Sequence, residues 1–293
     1  MPFRQAIAAA AMAFAGAGIA EAQPRDLRPA GKLLLTGGVT NVEGAGGGGL
    51  SSWATITGYA TRDGVGGNVH ATLVELPDYQ FRAYGAAVGL FDRVELSYTR
   101  QEFDTQGTGA KLGLGKGFTF NQDVLGAKVR VLGDAIYAQD SWVPQVAVGV
   151  QYKNVDKAAV VAFLGAQDDD GIDYYVAATK VLLAESLVVN GTLRATKANQ
   201  TGLLGFGGPG GKDDYTLQFE GSAGMLLSKR LLVGAEYRTK PNNLGLKEDD
   251  WWDLFAAYAV NKNLSITAAY ADLGTIATFK GQRGLYLSIQ AGF

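Results

Sequence analysis

The sequence predicts an all-β fold: a transmembrane antiparallel up-and-down β-barrel of about twelve strands, with short periplasmic turns and long external loops. Three observations predict it. Segments of roughly ten residues alternate apolar and polar side chains, the period of a strand with one apolar face. The connectors between them alternate in length. The sequence then ends on Leu285, Leu287, Ile289, Ala291 and Phe293, apolar at every second position around Tyr286, Ser288, Gln290 and Gly292. That ending resembles the closing strand of outer-membrane barrels, in which alternate apolar residues and a terminal Phe are read by the barrel-assembly machinery.

The N-terminus is compatible with export. Arg4 precedes an apolar run over 6–20 and then Ala20-Glu21-Ala22, so a secretory signal peptide is expected over 1–22. Residues 23–50 form a glycine-rich segment, expected to be a linker or a plug folded into the lumen. No Lys follows the Gly44 to Gly49 run, as a phosphate-binding loop would require. The barrel is assigned to 51–293. With no cysteine, disulfides and thiolate metal sites are excluded. A net charge of -2 offers nucleic acid no electrostatic footprint. Charged residues make up 18%, below the soluble average of about 25%, as a lipid-facing surface requires.

In order, strands are expected at 53–60, 79–90, 94–102, 124–132, 143–152, 173–183, 187–195, 215–227, 231–237, 251–260, 264–270 and 284–293. Short turns fall at 91–93, 184–186, 228–230 and 261–263, with a longer one at 133–142. Long polar or glycine-rich stretches fall between them, at 61–78, 103–123, 153–172, 196–214, 238–250 and 271–283. Residues 158–165 are apolar without alternation, and suit a short helix or a strand extension within a loop. A β-sandwich has no reason to sort its loops by length, whereas a barrel with both termini in the periplasm does. Closure then requires the final strand to pair with 53–60. Tyr79, Phe81, Tyr174, Tyr175, Tyr215, Trp251 and Trp252 follow long loops, and Phe91 and Trp142 lie beside short turns. All nine are expected at the membrane interfaces.

Thr40-Asn41-Val42-Glu43-Gly44-Ala45-Gly46-Gly47-Gly48, Gly58-Tyr59 and Gly85-Ala86-Ala87-Val88-Gly89-Leu90-Phe91-Asp92-Arg93-Val94-Glu95 give the chain a wider likeness. It resembles a Gram-negative outer-membrane β-barrel family classed as a domain of unknown function. The resemblance implies an outer-membrane location and no particular activity.

The polar face of each strand is expected to line the lumen. Glu95, Lys128, Arg130, Arg194, Glu220, Glu236, Arg238 and Asp253 are the candidates for a constriction. Their mixed sign assigns no ion selectivity. The function expected is a passive or weakly selective channel for small polar solutes, and the alternative is a non-conducting structural or surface-interaction barrel. An outer-membrane enzyme is the third reading. His70 is the only histidine and has no spacing relation to a nucleophile, so the chain is not expected to be an enzyme. No cofactor is expected. Asp168, Asp170 and Asp173 offer oxygen ligands for calcium but lack the spacing of a calcium loop. The expected partners are outer-membrane lipid and lipopolysaccharide, the barrel-assembly machinery, and solutes in transit.

Overall fold

The computed structural model describes residues 31–37 and 39–293. The expected signal peptide and residues 23–30 lie outside them. The strands are β1 Val65–Glu75, β2 Gln80–Leu90, β3 Val94–Asp104, β4 Thr119–Leu132, β5 Gln145–Val155 and β6 Asp170–Leu182. They continue with β7 Leu187–Thr196, β8 Thr216–Ser228, β9 Leu231–Arg238, β10 Trp251–Ala259, β11 Leu264–Asp272 and β12 Arg283–Gly292. Each pairs antiparallel with its chain neighbours, and β12 pairs with β1, closing a twelve-stranded barrel that leaves no free edge.

Alternation decides which side chains go in. On β12, Leu285, Leu287, Ile289 and Ala291 are exposed on the outer wall while Tyr286, Ser288 and Gln290 are buried. On β3 the outward set is Leu96 and Tyr98, and the inward set is Glu95, Ser97 and Thr99. The barrel thus inverts a soluble protein, with an apolar outer surface and a polar interior. Phe293 is also exposed, and its backbone joins the closing seam: its carbonyl accepts from Gly67 N–H at 3.1 Å and its N–H donates to the Gly67 carbonyl at 3.0 Å.

The first strand is not where the periodicity put it. Residues 53–60 lie outside the named strands and are buried along their whole length, while β1 comes from the expected loop 61–78. The mixed content of β1, with Gly66, Gly67, Asn68 and His70 beside Val69 and Leu73, disguised its outward face. Accordingly β12 pairs with β1, Ser288 standing opposite Thr72, and not with 53–60. The β1–β2 connection shrinks to 76–79.

Connectors 91–93, 133–144, 183–186, 229–230 and 260–263 gather at one end, the turn end. Connectors 76–79, 105–118, 156–169, 197–215, 239–250 and 273–282 gather at the other, the loop end. The apolar run near 160 is a short helix, Ala158–Phe163.

Four of the nine interface aromatics face inward instead. Tyr79, Phe81, Tyr175 and Trp251 are buried, whereas Phe91, Trp142, Tyr174, Tyr215 and Trp252 are exposed. Position relative to a loop sets a residue's height along the barrel, but strand parity sets its face. Tyr174 and Tyr175 are adjacent and therefore point opposite ways, as do Trp251 and Trp252.

Candidate functional site

The lumen is occupied by the chain itself. Residues 31–60 enter at the turn end, where Gly31 N–H donates to the Tyr59 carbonyl at 3.0 Å and Lys32 pairs with Asp92 at 2.7 Å. They rise to a tight turn over 42–50, in which Val42 N–H reaches the Gly49 carbonyl at 3.0 Å, and then return to Tyr59. Every residue from 39 to 60 is buried.

A backbone inside a barrel forfeits water, so its polar groups must find partners in the wall. Inward side chains supply them. Glu95 accepts from Gly46 N–H at 3.0 Å and Thr57 N–H at 2.8 Å, and Glu220 accepts from Ser52 N–H at 2.8 Å. Glu236 takes the N–H groups of Gly49 and Leu50 at 2.6 and 2.7 Å and the Ser51 hydroxyl at 2.5 Å. From the opposite sign, Lys128 donates to the carbonyls of Gly46 and Trp53 at 3.1 and 3.0 Å, and Arg238 to that of Leu50 at 3.1 Å.

Charge closes the arrangement. Glu43, on the tight turn and fully buried, receives two bonds from Arg238, at 2.9 and 3.0 Å, lies 3.3 Å from Arg194, and is bonded by Lys153. Lys153 also pairs with Asp173 at 2.7 Å, and Arg194 with Glu220 at 2.5 Å. One carboxylate of the luminal segment therefore ties together β5, β7 and β9. Removing one partner from a buried pair costs about 3–5 kcal/mol, because the charge left behind has no water.

Of the eight constriction candidates, Glu95 and Lys128 pair directly at 3.0 Å, while Arg194, Arg238 and Glu220 converge around Glu43. Arg130 does not join them. It sits at the turn end between Asp92 and Asp134. Asp253 is buried, and neither of its carboxylate oxygens has a hydrogen-bond partner among the described residues.

The aspartates considered for calcium separate. Asp170 is exposed, Asp173 points inward to Lys153 and Thr196, and the backbone of Asp168 pairs with Phe206. Among the described residues no three potential ligands gather. His70 lies on β1, not in a loop, buried with its Nε2 3.3 Å from the Thr99 hydroxyl.

Sequence reasoning missed Glu43 and Lys153. Lys153 continues the inward parity of Gln151 and was reachable by extending that strand one residue. Glu43 sits in a glycine-rich stretch without periodicity, among the residues that carry the family likeness, and no local pattern gave it a role.

Glycine has a specific use on the tight turn. A Cβ on Gly48 would lie 1.8 Å from Glu236 Oε1, and Gly44 has φ +90°, a left-handed conformation that suits only glycine. The run is there for close approach to the wall.

Above the turn, toward the loop end, the interior changes character. A chamber of about 240 Å³ has Val42 and Leu50 as its floor and residues of all six loop-end connectors around and over it. Its lining is almost wholly apolar. At its rim, burial in the connector 239–250 lowers Lys240 to about 8 and pushes Glu248 up. Lys240 Nζ sits 5.0 Å from the Trp251 ring and 3.3 Å from Gln200 Oε1.

Among solved structures, one porin supports the architecture. The KdgM porin in complex with disordered oligogalacturonate is similar over 77% of this chain and 99% of its own, at TM-score 0.50 and 11% identity. The NanC porin is similar over 78% of this chain and 98% of its own, at TM-score 0.48 and 9% identity. The COG4313 outer membrane channel from Pseudomonas putida F1 covers 78% and 95%, at TM-score 0.44 and 11% identity. At such identity the likeness to KdgM speaks to fold alone. No curated protein matches the sequence at a significant level. Residues 36–290, which span most of the luminal segment and nearly the whole barrel, match one family, and the chain belongs to it: the family described as "Protein of unknown function (DUF3034)".

Proposed function

We propose that the protein is an outer-membrane channel held closed by its own luminal segment, with the loop end external and the turn end periplasmic. The apolar outer wall supports the membrane location, since a spanning structure in lipid must satisfy every backbone group internally and a closed barrel does so. The observation that carries closure is the bonding of Glu43 to Lys153, Arg194 and Arg238 in the middle of the lumen. Passage of a solute then requires this segment to shift. The polar-solute passage expected from the sequence becomes a gated one. Hydrolysis is not proposed, because His70 is sealed inside the filled barrel.

Planar-bilayer recording tests the reading. Native protein should show rare openings, and a variant lacking 31–60 should show sustained conductance. Ser51 and Ser222, whose hydroxyls are 3.1 Å apart, offer a lock in a chain that has no cysteine of its own. The oxidised Ser51→Cys, Ser222→Cys protein should be silent and should recover native openings on reduction. Sustained conductance in the oxidised form would refute closure by this segment. Silence of a correctly folded deletion variant would refute the channel and leave a structural barrel.

A further inference from the structure

The chamber above the luminal segment is built from residues that no channel for polar solutes needs. Phe81, Phe103 and Phe120 come from the wall, and Leu203, Leu246 and Ile276 from three of the connectors. Inward positions of a water-filled pore carry polar groups, as Glu95, Lys128, Gln151 and Arg194 do midway along this barrel, whereas at the loop end aromatic and aliphatic side chains surround an open chamber. Apolar residues continue to the surface: Phe163 and Leu112 line the same chamber and are 89% and 43% exposed.

Two polar groups of this lining have no partner among the described residues: the Tyr286 hydroxyl, which sits beside Gly49 of the tight turn, and the Trp251 indole N–H. Trp251 is 6% exposed and lines the chamber, and its indole N–H has no acceptor among the described residues. A buried donor without a partner carries a desolvation cost that a ligand acceptor would remove.

Gly31 and Lys32 lie at the turn end, beside Tyr137 and Asp92, and residues 39–60 stand between them and the chamber. Below Trp251 and Leu273 the wall is closed to a membrane lipid tail, because β10, β11, β12 and β1 are paired up to Trp252 opposite Asp272 and Asp272 opposite Arg283. Entry is from the loop end. A cavity of about 150 Å³ lined by Leu, Ile and Phe stays dry and takes benzene. A chamber of about 240 Å³ therefore has room for roughly two fused rings.

We propose that this chamber is a binding site for a small, largely apolar molecule of bicyclic size carrying one hydrogen-bond acceptor, taken up from the loop end. The floor of the site is the tight turn itself, so the proposal rests on the closed-channel reading for its place in transport. Binding is measured at equilibrium, without conduction, and the two can fail separately.

The experiment is equilibrium dialysis of 2-acetonaphthone and 2-ethylnaphthalene, equal in shape but with and without an acceptor, against the full protein in amphipol, with empty amphipol as blank. The expected result is saturable binding of one molecule per barrel, several-fold tighter for the ketone. Trp251→Phe should abolish that difference. Ala271→Phe, which fills the chamber, should weaken both probes at least tenfold; Leu203→Trp is the second filling variant should the first fail to fold. Uptake no greater than the blank would overturn the site, as would binding unchanged by either filling variant or a co-purified lipid chain that neither probe displaces. Equal affinity for the two probes would overturn the acceptor assignment.

Discussion

Asp253 and Glu236 stand directly opposite each other on β10 and β9, both turned into the lumen, and only Glu236 is bonded there. A charge on each carboxylate in that position would repel the other, and the unpartnered acid has no compensation for leaving water. Asp253→Asn keeps the shape and removes the ionisable group. It should stabilise the protein by about 1–3 kcal/mol, seen as a higher urea midpoint in lipid vesicles. A midpoint at or below that of the native protein would show that the acid is compensated.

Glu43→Gln should have the opposite effect on the luminal segment. Lys153, Arg194 and Arg238 lose their shared anion, for about 3–5 kcal/mol. The barrel wall, paired strand to strand, should survive. Protease added from the turn end should then cut within 31–60 while the barrel keeps its heat-modifiable gel mobility; resistance equal to that of the native protein would contradict the role given to Glu43.

Gly48→Ala tests close approach. The added methyl collides with the carboxylate that holds Gly49, Leu50 and Ser51, an overpacking cost of about 1–3 kcal/mol. Amide exchange over 42–50 should speed up while exchange in β9 away from Glu236 stays slow. If 42–50 were a loose linker, the substitution would change nothing.

Lys240 gives a pH dependence whose sign follows from its direction. Burial lowers it to about 8 in the folded protein, against 10.5 as the ordinary value, so between those limits the unfolded chain binds the extra proton. Stability should rise with pH across that window, and the cost of the buried charge should be fully present below it. Lys240→Met should flatten the rise, measured as urea midpoints between pH 7.5 and 10.

The barrel was legible because lipid imposes one rule on every strand, and the rule survives in Leu285 to Ala291 or Leu96 to Tyr98 without knowledge of any neighbour. Trp251 shows where that rule weakens. On β10 both faces are largely apolar, since one meets lipid and the other turns Trp251, Phe255, Ala257 and Ala259 inward, and only Asp253 reports the parity. The strand at 53–60 failed for a related reason, because a segment enclosed on all sides has no face to alternate. Glu43 was illegible because its meaning lies in Lys153, Arg194 and Arg238, which are brought to it from three strands. The chamber is assembled from connectors far apart in the chain, and no local pattern could announce it.

Val42 and Leu50 belong at once to the floor of the chamber and to the turn whose neighbour Glu43 is bolted to the wall. Occupancy above and detachment below are therefore reciprocal. Whatever factor a guest molecule changes in the release of the turn, release must change in the grip on the guest by the same factor. In the gated channel we propose, a guest that favours the intact floor would act as an antagonist of its own passage, and one that prefers the floor withdrawn would act as its own key.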